Sequence, residues 1–440
     1  MQRFPLATCT LALLAVFSGA AQAQSLVELY DAARATDSTY QSAKAQYDAN
    51  LAQADQAKAG LLPSVGLSAG LNRSLVEGRN PSFDKNYTTQ TATLSGSQPL
   101  YRPANRIAYE QGKKLIDVAE AQLQVAEQDL VVRVAQAYFD VLAAQDTLAF
   151  VRAQKTAVGE QLASAKRNFE VGTATITDSR EAQSRFDLVR AQEIAADNDV
   201  VVKRLALDTL ASKANTQPIP LAQPVVLPTL QAADISTWVQ QAESLQPNVL
   251  QAALALEVAR LETQKAKAAN LPTLDLTAGY NINRYPNGTT SALPGSRTNA
   301  TQIGLSFNIP LFAGYSIQNR IRETLSLEDK AQADLDAARR AVTQATRAAF
   351  YGVLSGVGQV SALEAAETSS QIALDANKLG YQVGVRINID VLNSQSQLFQ
   401  TKRDLALARY NVLLGSLKLR QASGSLKPED LQAINALLVR

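Results

Sequence analysis

Two periods of apolar residues run through this chain and divide it into two kinds of element. Leu274, Leu276, Ala278, Tyr280 and Ile282 fall on one side of an alternation, with Asp275, Thr277, Gly279, Asn281 and Asn283 on the other. Ile303, Leu305, Phe307, Ile309 and Leu311 repeat it against Gly304, Ser306 and Asn308. Earlier in the chain, Val65, Leu67, Ala69 and Leu71 oppose Gly66, Ser68, Gly70 and Asn72. A period of two predicts strands with one apolar face. The segment Tyr87 to Ser95 is Thr-rich and alternates less cleanly. Two hairpins are expected, over 64–98 and 273–309, with loops at Glu77 to Asn86 and Asn287 to Arg297. Each strand is about 10 residues, enough for a tilted strand to cross a bilayer. A half-buried sheet in a soluble protein would alternate in the same way. Here the polar face carries Gly, Ser and Asn instead of Lys and Glu, which favours a membrane barrel.

The second period is seven. Ile116, Leu123, Leu130, Ala137, Ala144, Val151 and Val158 keep it, as do Val391, Leu398, Leu405, Val412 and Leu419. A sustained seven-residue repeat predicts helices coiled along one another. Ala331, Ala338, Ala345 and Gly352 form a small-residue stripe that allows close approach of a neighbouring helix. No proline occurs from Ala104 to Gln217 or from Leu311 to Lys427, although the chain has 15. Long helices are therefore expected over 104–169 and 317–379, with return helices over 179–212 and 391–421. The segments 26–59 and 235–269 are each expected as one helix. Laid end to end with the return helices, they would match the long ones.

These elements occur twice. Lys58-Ala59-Gly60-Leu61-Leu62-Pro63 recurs as Lys267-Ala268-Ala269-Asn270-Leu271-Pro272, and Ala137-Tyr138-Phe139 as Ala349-Phe350-Tyr351. Val171-Gly172 recurs as Val383-Gly384, and Asp178 as Asp390. The chain thus divides into residues 1–23, a first repeat over 24–212, a connector over 213–235, a second repeat over 236–423 and a C-terminal segment over 424–440. Pro218, Pro220, Pro224 and Pro228 make the connector non-helical. It and the C-terminal segment should gather as a small belt at mid-helix.

Composition narrows the function. Arg3, the apolar stretch Leu6 to Phe17 and Ala21-Gln22-Ala23 have the pattern of a secretory signal, with the mature chain beginning near Gln24. Cys9, the sole cysteine, lies inside that segment without a lipidation context. Histidine is absent and Met1 is the only methionine, so the usual metal ligands and general bases are missing. No phosphate loop or nucleophile elbow occurs, and neither an enzyme nor a cofactor site is expected. Lys and Arg number 42 against 40 acidic residues, which gives no electrostatic case for nucleic acid. Four strands cannot close a barrel, and open edges cannot stand in lipid, so several chains must share one barrel.

Several stretches resemble the TolC family of outer-membrane efflux proteins: Leu271-Pro272-Thr273-Leu274-Asp275-Leu276, Gly304-Leu305-Ser306-Phe307, Phe169-Glu170-Val171-Gly172 with Ile176-Thr177-Asp178, Gly380-Tyr381-Gln382-Val383-Gly384 and Leu405 to Asn411. The resemblance spans essentially the whole mature chain. It implies an α+β membrane protein: a trimeric 12-stranded outer-membrane β-barrel, four strands per chain, continuous with a 12-helix periplasmic α-barrel and a mixed equatorial belt. It also implies a passive exit duct for small molecules or polypeptides, set in outer-membrane lipid. Its partners would be a periplasmic adaptor and an inner-membrane pump of RND or ABC type. By position, the family's periplasmic gate falls on Thr177, Asp178, Tyr381, Arg386 and Asp390. Asn393 stands where a second acidic residue is usual. Adaptor docking falls on the turns Val171, Gly172, Thr173 and Val383, Gly384, Val385. The blander reading has Asp178 and Glu181 as a capping box and Asp390 as a first-turn carboxylate favoured by the helix dipole. A periplasmic coiled-coil scaffold without a pore is the rival function.

Overall fold

The computed structural model describes residues 24–80, 82–225, 227 and 234–439. The expected signal segment, Pro228 of the connector and Arg440 lie outside the described residues. The chain forms two compact units: one made of residues up to Ala43 with Leu123–Pro247 and Arg339–Arg440, the other of Lys44–Gln122 and Asn248–Ala338.

The second unit carries the strands β1 (Ser64–Arg79), β2 (Ser82–Tyr101), β3 (Thr273–Tyr285) and β4 (Ser296–Asn308). They form one antiparallel sheet in chain order, so β1 and β4 are both edges. The strands run 13 to 20 residues, longer than the expected 10. The expected loop from Glu77 to Asn86 is mostly strand, because the ladder continues through Glu77↔Asp84 and Gly78↔Phe83 to Arg79↔Ser82. The alternation fades before the pairing does, since polar neighbours hydrogen-bond across strands as readily as apolar ones. The Phe83 ring lies over Gly78, where a Cβ would meet its Cε1 at 2.2 Å, so a larger residue there would push the exposed ring aside. β2 also runs past the expected end at 98, with an irregularity between Pro99 and Tyr101 where proline gives no N–H to the ladder.

Register assigns each face. Leu67 lies opposite Leu94, Leu94 opposite Tyr280, and Leu276 opposite Leu305. This apolar face is bare in the single chain: Leu67, Ile303 and Leu305 are 78%, 76% and 66% exposed. On the other face Thr93 bonds Asn281, and the hydroxyls of Thr91, Ser95 and Thr277 donate to carbonyls on paired strands. The helical part of this unit is tied by charge. Glu262 accepts from Lys265 and Arg320 at 2.8 Å and from Gln111 at 3.1 Å. Burial pushes this carboxyl up, but the three donors together outweigh it and hold it at about 2.

The first unit is helical. α1 (Leu26–Thr36) leads to α2 (Ser38–Ala59), α3 (Pro103–Glu170) to α4 (Ile176–Ala211), and α5 (Ile235–Leu245) to α6 (Pro247–Ala268). α7 (Ser316–Gln382), α8 (Asn388–Ala422) and α9 (Asp430–Asn435) follow; α2, α3, α6 and α7 have residues in the strand-bearing unit or lie within it. α3 and α7 are 68 and 67 residues long. The single helix expected over 26–59 is broken at Asp37, which takes an extended conformation (ψ 118°). There its carboxylate accepts the Tyr40 N–H at 2.8 Å and both terminal nitrogens of Arg133 at 2.9 and 3.0 Å. The hydrogen bonds from Arg133 hold the Asp37 carboxyl below its usual range. That contribution to stability is complete above the ordinary carboxylate range and is lost as pH falls through the lowered value. The helix expected over 235–269 is likewise broken, because Gln246 precedes Pro247 and is pushed into an extended conformation (ψ 123°).

The seven-residue stripes are buried at Leu130, Ala144, Val151 and Val158, and at all five positions from Val391 to Leu419. The small-residue stripe behaves differently: a Cβ on Gly352 would meet nothing within 4 Å. The main core lies where Leu26 and Leu29 of α1, Tyr138 and Phe139 of α3, Leu413 of α8 and Leu431 of α9 converge. Connector and C-terminal segment meet beside it: the Ala222 N–H donates to Leu437 O and the Val439 N–H to Pro220 O, both at 2.9 Å. The buried Tyr138 hydroxyl donates to Ile219 O at 2.8 Å and pins this belt to mid-α3.

Candidate functional site

Each copy ends in a helix–turn–helix apex within the helical unit. At the first, α3 stops at Glu170 and Gly172 takes φ 80°. At the second, α7 stops at Gln382 and Gly384 takes φ 79°. Only glycine adopts this conformation without strain, although a Cβ at either position would meet nothing within 4 Å. Carbonyls at the helix ends are satisfied by the turns: Thr173 N–H donates to Asn168 O at 2.8 Å, and Val385 N–H to Gly380 O at 2.9 Å. The flanking valines stand in solvent, with Val171, Val383 and Val385 at 73%, 65% and 75% exposed.

The first apex is closed by its own side chains. Thr175 is the N-cap of α4; its Oγ1 accepts the Asp178 N–H at 3.3 Å, and Asp178 Oδ2 accepts the Thr175 N–H at 3.0 Å. The expected box of Asp178 with Glu181 is therefore displaced by one turn: Thr175 is the cap and Asp178, the third residue of the helix, closes the box. The chain uses the Thr because it precedes the first helical residue, the position a capping hydroxyl needs. Thr177 is exposed beside it.

The second apex has no side-chain cap, since Ile387 occupies the N-cap of α8. Asp390 lies in the first turn of α8 and pairs with Arg386 at 3.6 Å. The stem of Arg386 lies across Gly380, where a Cβ would meet its Cγ at 2.7 Å. Four hydrogen bonds join the two hairpins near their apices. The Tyr381 hydroxyl accepts from Asn168 Nδ2 at 3.3 Å, and Asn393 Oδ1 accepts from Arg185 Nη2 at 2.8 Å. Asn388 is wholly buried; its Nδ2 donates to Asp178 O at 3.1 Å and its Oδ1 accepts from Gln161 Nε2 at 2.5 Å. The structure thus gathers Thr177, Asp178, Tyr381, Arg386, Asp390 and Asn393 at one end of the unit, each with a local partner or in solvent. It does not join Asp178 to Tyr381 or Arg386 within a chain. Asn168, Arg185 and Asn388 went unread in the sequence. The one available signal was the alignment of copies, which sets Asn388 against Ile176.

A family model described as outer membrane efflux protein matches residues 29–212 and 238–425, and so most of the chain. The chain belongs to that family. This outer membrane efflux protein is 32% identical over 425 residues to the outer membrane protein TolC of Vibrio cholerae, covering 97% of this chain and 96% of that one. It is 28% identical over 425 residues to the alkaline protease secretion protein AprF of Pseudomonas aeruginosa, covering 95% and 88%. In fold it matches the outer membrane protein VceC of Vibrio cholerae, with a TM-score of 0.78, 18% identity, and 91% and 96% of the two chains covered. Its relatives are outer-membrane and secretion proteins, and the family consists of channels. The efflux protein is therefore an outer-membrane exit duct: its strands are the membrane segment, its helices belong to the periplasm, and its four strands close a barrel only by sharing it with further chains. The bare apolar sheet face and the two unpaired edges are what such sharing requires. A poreless scaffold has no use for either.

Proposed function

We propose that this efflux protein works as a passive homotrimeric duct whose periplasmic mouth is gated by Thr177, Asp178, Tyr381, Arg386, Asp390 and Asn393. Its turns at Val171, Gly172, Thr173 and at Val383, Gly384, Val385 seat a periplasmic adaptor. An inner-membrane pump of RND or ABC type supplies the energy, small molecules or polypeptides are the cargo, and the chain itself catalyses nothing. The two blocks matched by the family model support a division into repeats 24–212 and 236–423 around the connector 213–235. One observation carries the gating role: the second apex lacks a cap of its own and holds its shape through Arg386–Asp390 and through contacts with the first hairpin. An apex built this way can swing when those contacts yield, while the self-capped first apex stays fixed.

Single-channel recording in a planar lipid bilayer tests this. The native protein should give discrete, long-lived steps of small conductance. Asp390→Ala frees Arg386 and should raise the conductance severalfold. Unchanged conductance in that variant would remove Asp390 from the gate and leave the duct itself standing.

A further inference from the structure

The outward face of the sheet carries three arginines beyond its apolar band. Register places Leu71, Gln90, Arg284 and Arg297 in one row across all four strands. Arg73 is two residues further along β1, on the same face. The apolar stretch of β3 from Leu274 to Ile282 covers about 27 Å along the strand at roughly 3.4 Å per residue. Tilted by about 40°, it spans about 21 Å, close to the apolar band of an outer-membrane barrel. The arginines follow directly at the end remote from the helices, at the depth of the outer-leaflet headgroups.

Their pairing there is unfavourable for the protein alone. Arg284 and Arg297 are direct cross-strand partners, which sets their Cβ atoms about 5 Å apart. Like charges opposite one another destabilise a sheet. Among the described residues none of the three forms an ion pair. Arg73 Nε donates to Asn86 at 2.9 Å and Arg297 Nε to Asn299 at 3.1 Å, both neutral acceptors on the same face. Glu77 and Asp84, the next carboxylates on this face, face each other four residues beyond Arg73, about 13 Å along the strand. An anion must come from outside the chain, and guanidinium groups side by side match phosphate oxygens.

We propose that Arg73, Arg284 and Arg297 form a girdle that binds the phosphate groups of outer-leaflet lipid and fixes the barrel's depth. The proposal rests on the outer-membrane reading of the strands. It is tested with the full chain, purified in detergent, titrated with diphosphorylated lipid A while thermal unfolding is followed. The lipid should raise the unfolding midpoint of the native protein. The R73Q/R284Q/R297Q variant should need about tenfold or more lipid for the same rise, a loss of about 1.4 kcal/mol, and the corresponding lysine variant should recover part of it. Dephosphorylated lipid A should give little shift in either protein. An equal response of native and triple variant, or an equal effect of dephosphorylated lipid, overturns the girdle. An equal effect of inorganic phosphate shows a simple anion site and overturns the commitment to lipid. Bilayer recording on the same preparations separates the two levels: channels without a lipid shift sink only the girdle, and absence of channels from the native protein sinks the membrane reading beneath it. Should the triple variant fail to give channels, R297Q alone, which relieves the opposed pair, is titrated in its place.

Discussion

At the apex of the first copy, Thr175 and Asp178 satisfy each other's backbone N–H groups and Ile176 stands half in solvent; at the second, Ile387 occupies the cap, exposed, and Asn388 beside it is buried. One polar residue has moved a single position along the chain. The consequence is a change of allegiance. The first apex is satisfied within four consecutive residues, whereas the second depends on Asp178, Gln161 and Asn168 of the other hairpin. Duplicated turns with the same glycine geometry can therefore differ in how readily they move, because stability here comes from the partners of a few polar side chains and not from the turn.

The largest effect is expected where the second apex is anchored. Asn388→Leu leaves the Asp178 carbonyl and the Gln161 amide without their partner in a buried place, at a cost of about 2–3 kcal/mol. Amide hydrogen exchange should show protection falling along α8 from Asn388 onward, with channel conductance rising. If protection is lost equally from the α4 start at Ile176, the two apices are coupled as one and the contrast between them breaks.

Much of this was legible in the sequence, and the exceptions have a common cause. The apolar face of the sheet was readable because alternation reports which side of a strand meets lipid. The true ends of β1 and β2 were not, since Glu77, Asp84 and Lys85 pair across strands without an apolar signature. The buried stripes of α3 and α8 followed from a seven-residue period. The break at Asp37 was hidden because its cause, Arg133, lies 96 residues away. The break before Pro247 is signalled by the proline itself, which begins the second of the two helices. At the apices, positions could be carried from the family, but the partners of Tyr381, Asn388 and Asn393 depend on how two hairpins pack, and no local pattern encodes that.

A smaller effect sharpens the comparison through the turns. Gly172→Ala and Gly384→Ala each force a Cβ onto a positive φ, at about 1–2 kcal/mol. The local costs should be alike, since the added Cβ meets nothing at either site. Their consequences should differ: conductance should change with Gly384→Ala, because strain there adds to an apex that has no side-chain cap and leans on the other hairpin, and stay near native with Gly172→Ala. Equal changes in both recordings would mean that the caps do not set mobility.

The smallest effect is expected from the cap itself. Thr175→Ala removes one capping hydroxyl and should cost about 1 kcal/mol, as N-cap losses do. The exchange of the first α4 amides, those of Thr177 and Asp178 above all, should quicken severalfold. Conductance should hold, because Asn388 contacts the Asp178 backbone carbonyl and not its carboxylate. Ile387→Thr is the reciprocal change: it offers the second apex a cap for the Asp390 N–H, with Asp390 already placed to complete the box. That variant should slow exchange at Asp390 and lower the frequency of opening. A more open channel from Ile387→Thr would show that the exposed isoleucine, and not the missing cap, is what governs the second apex.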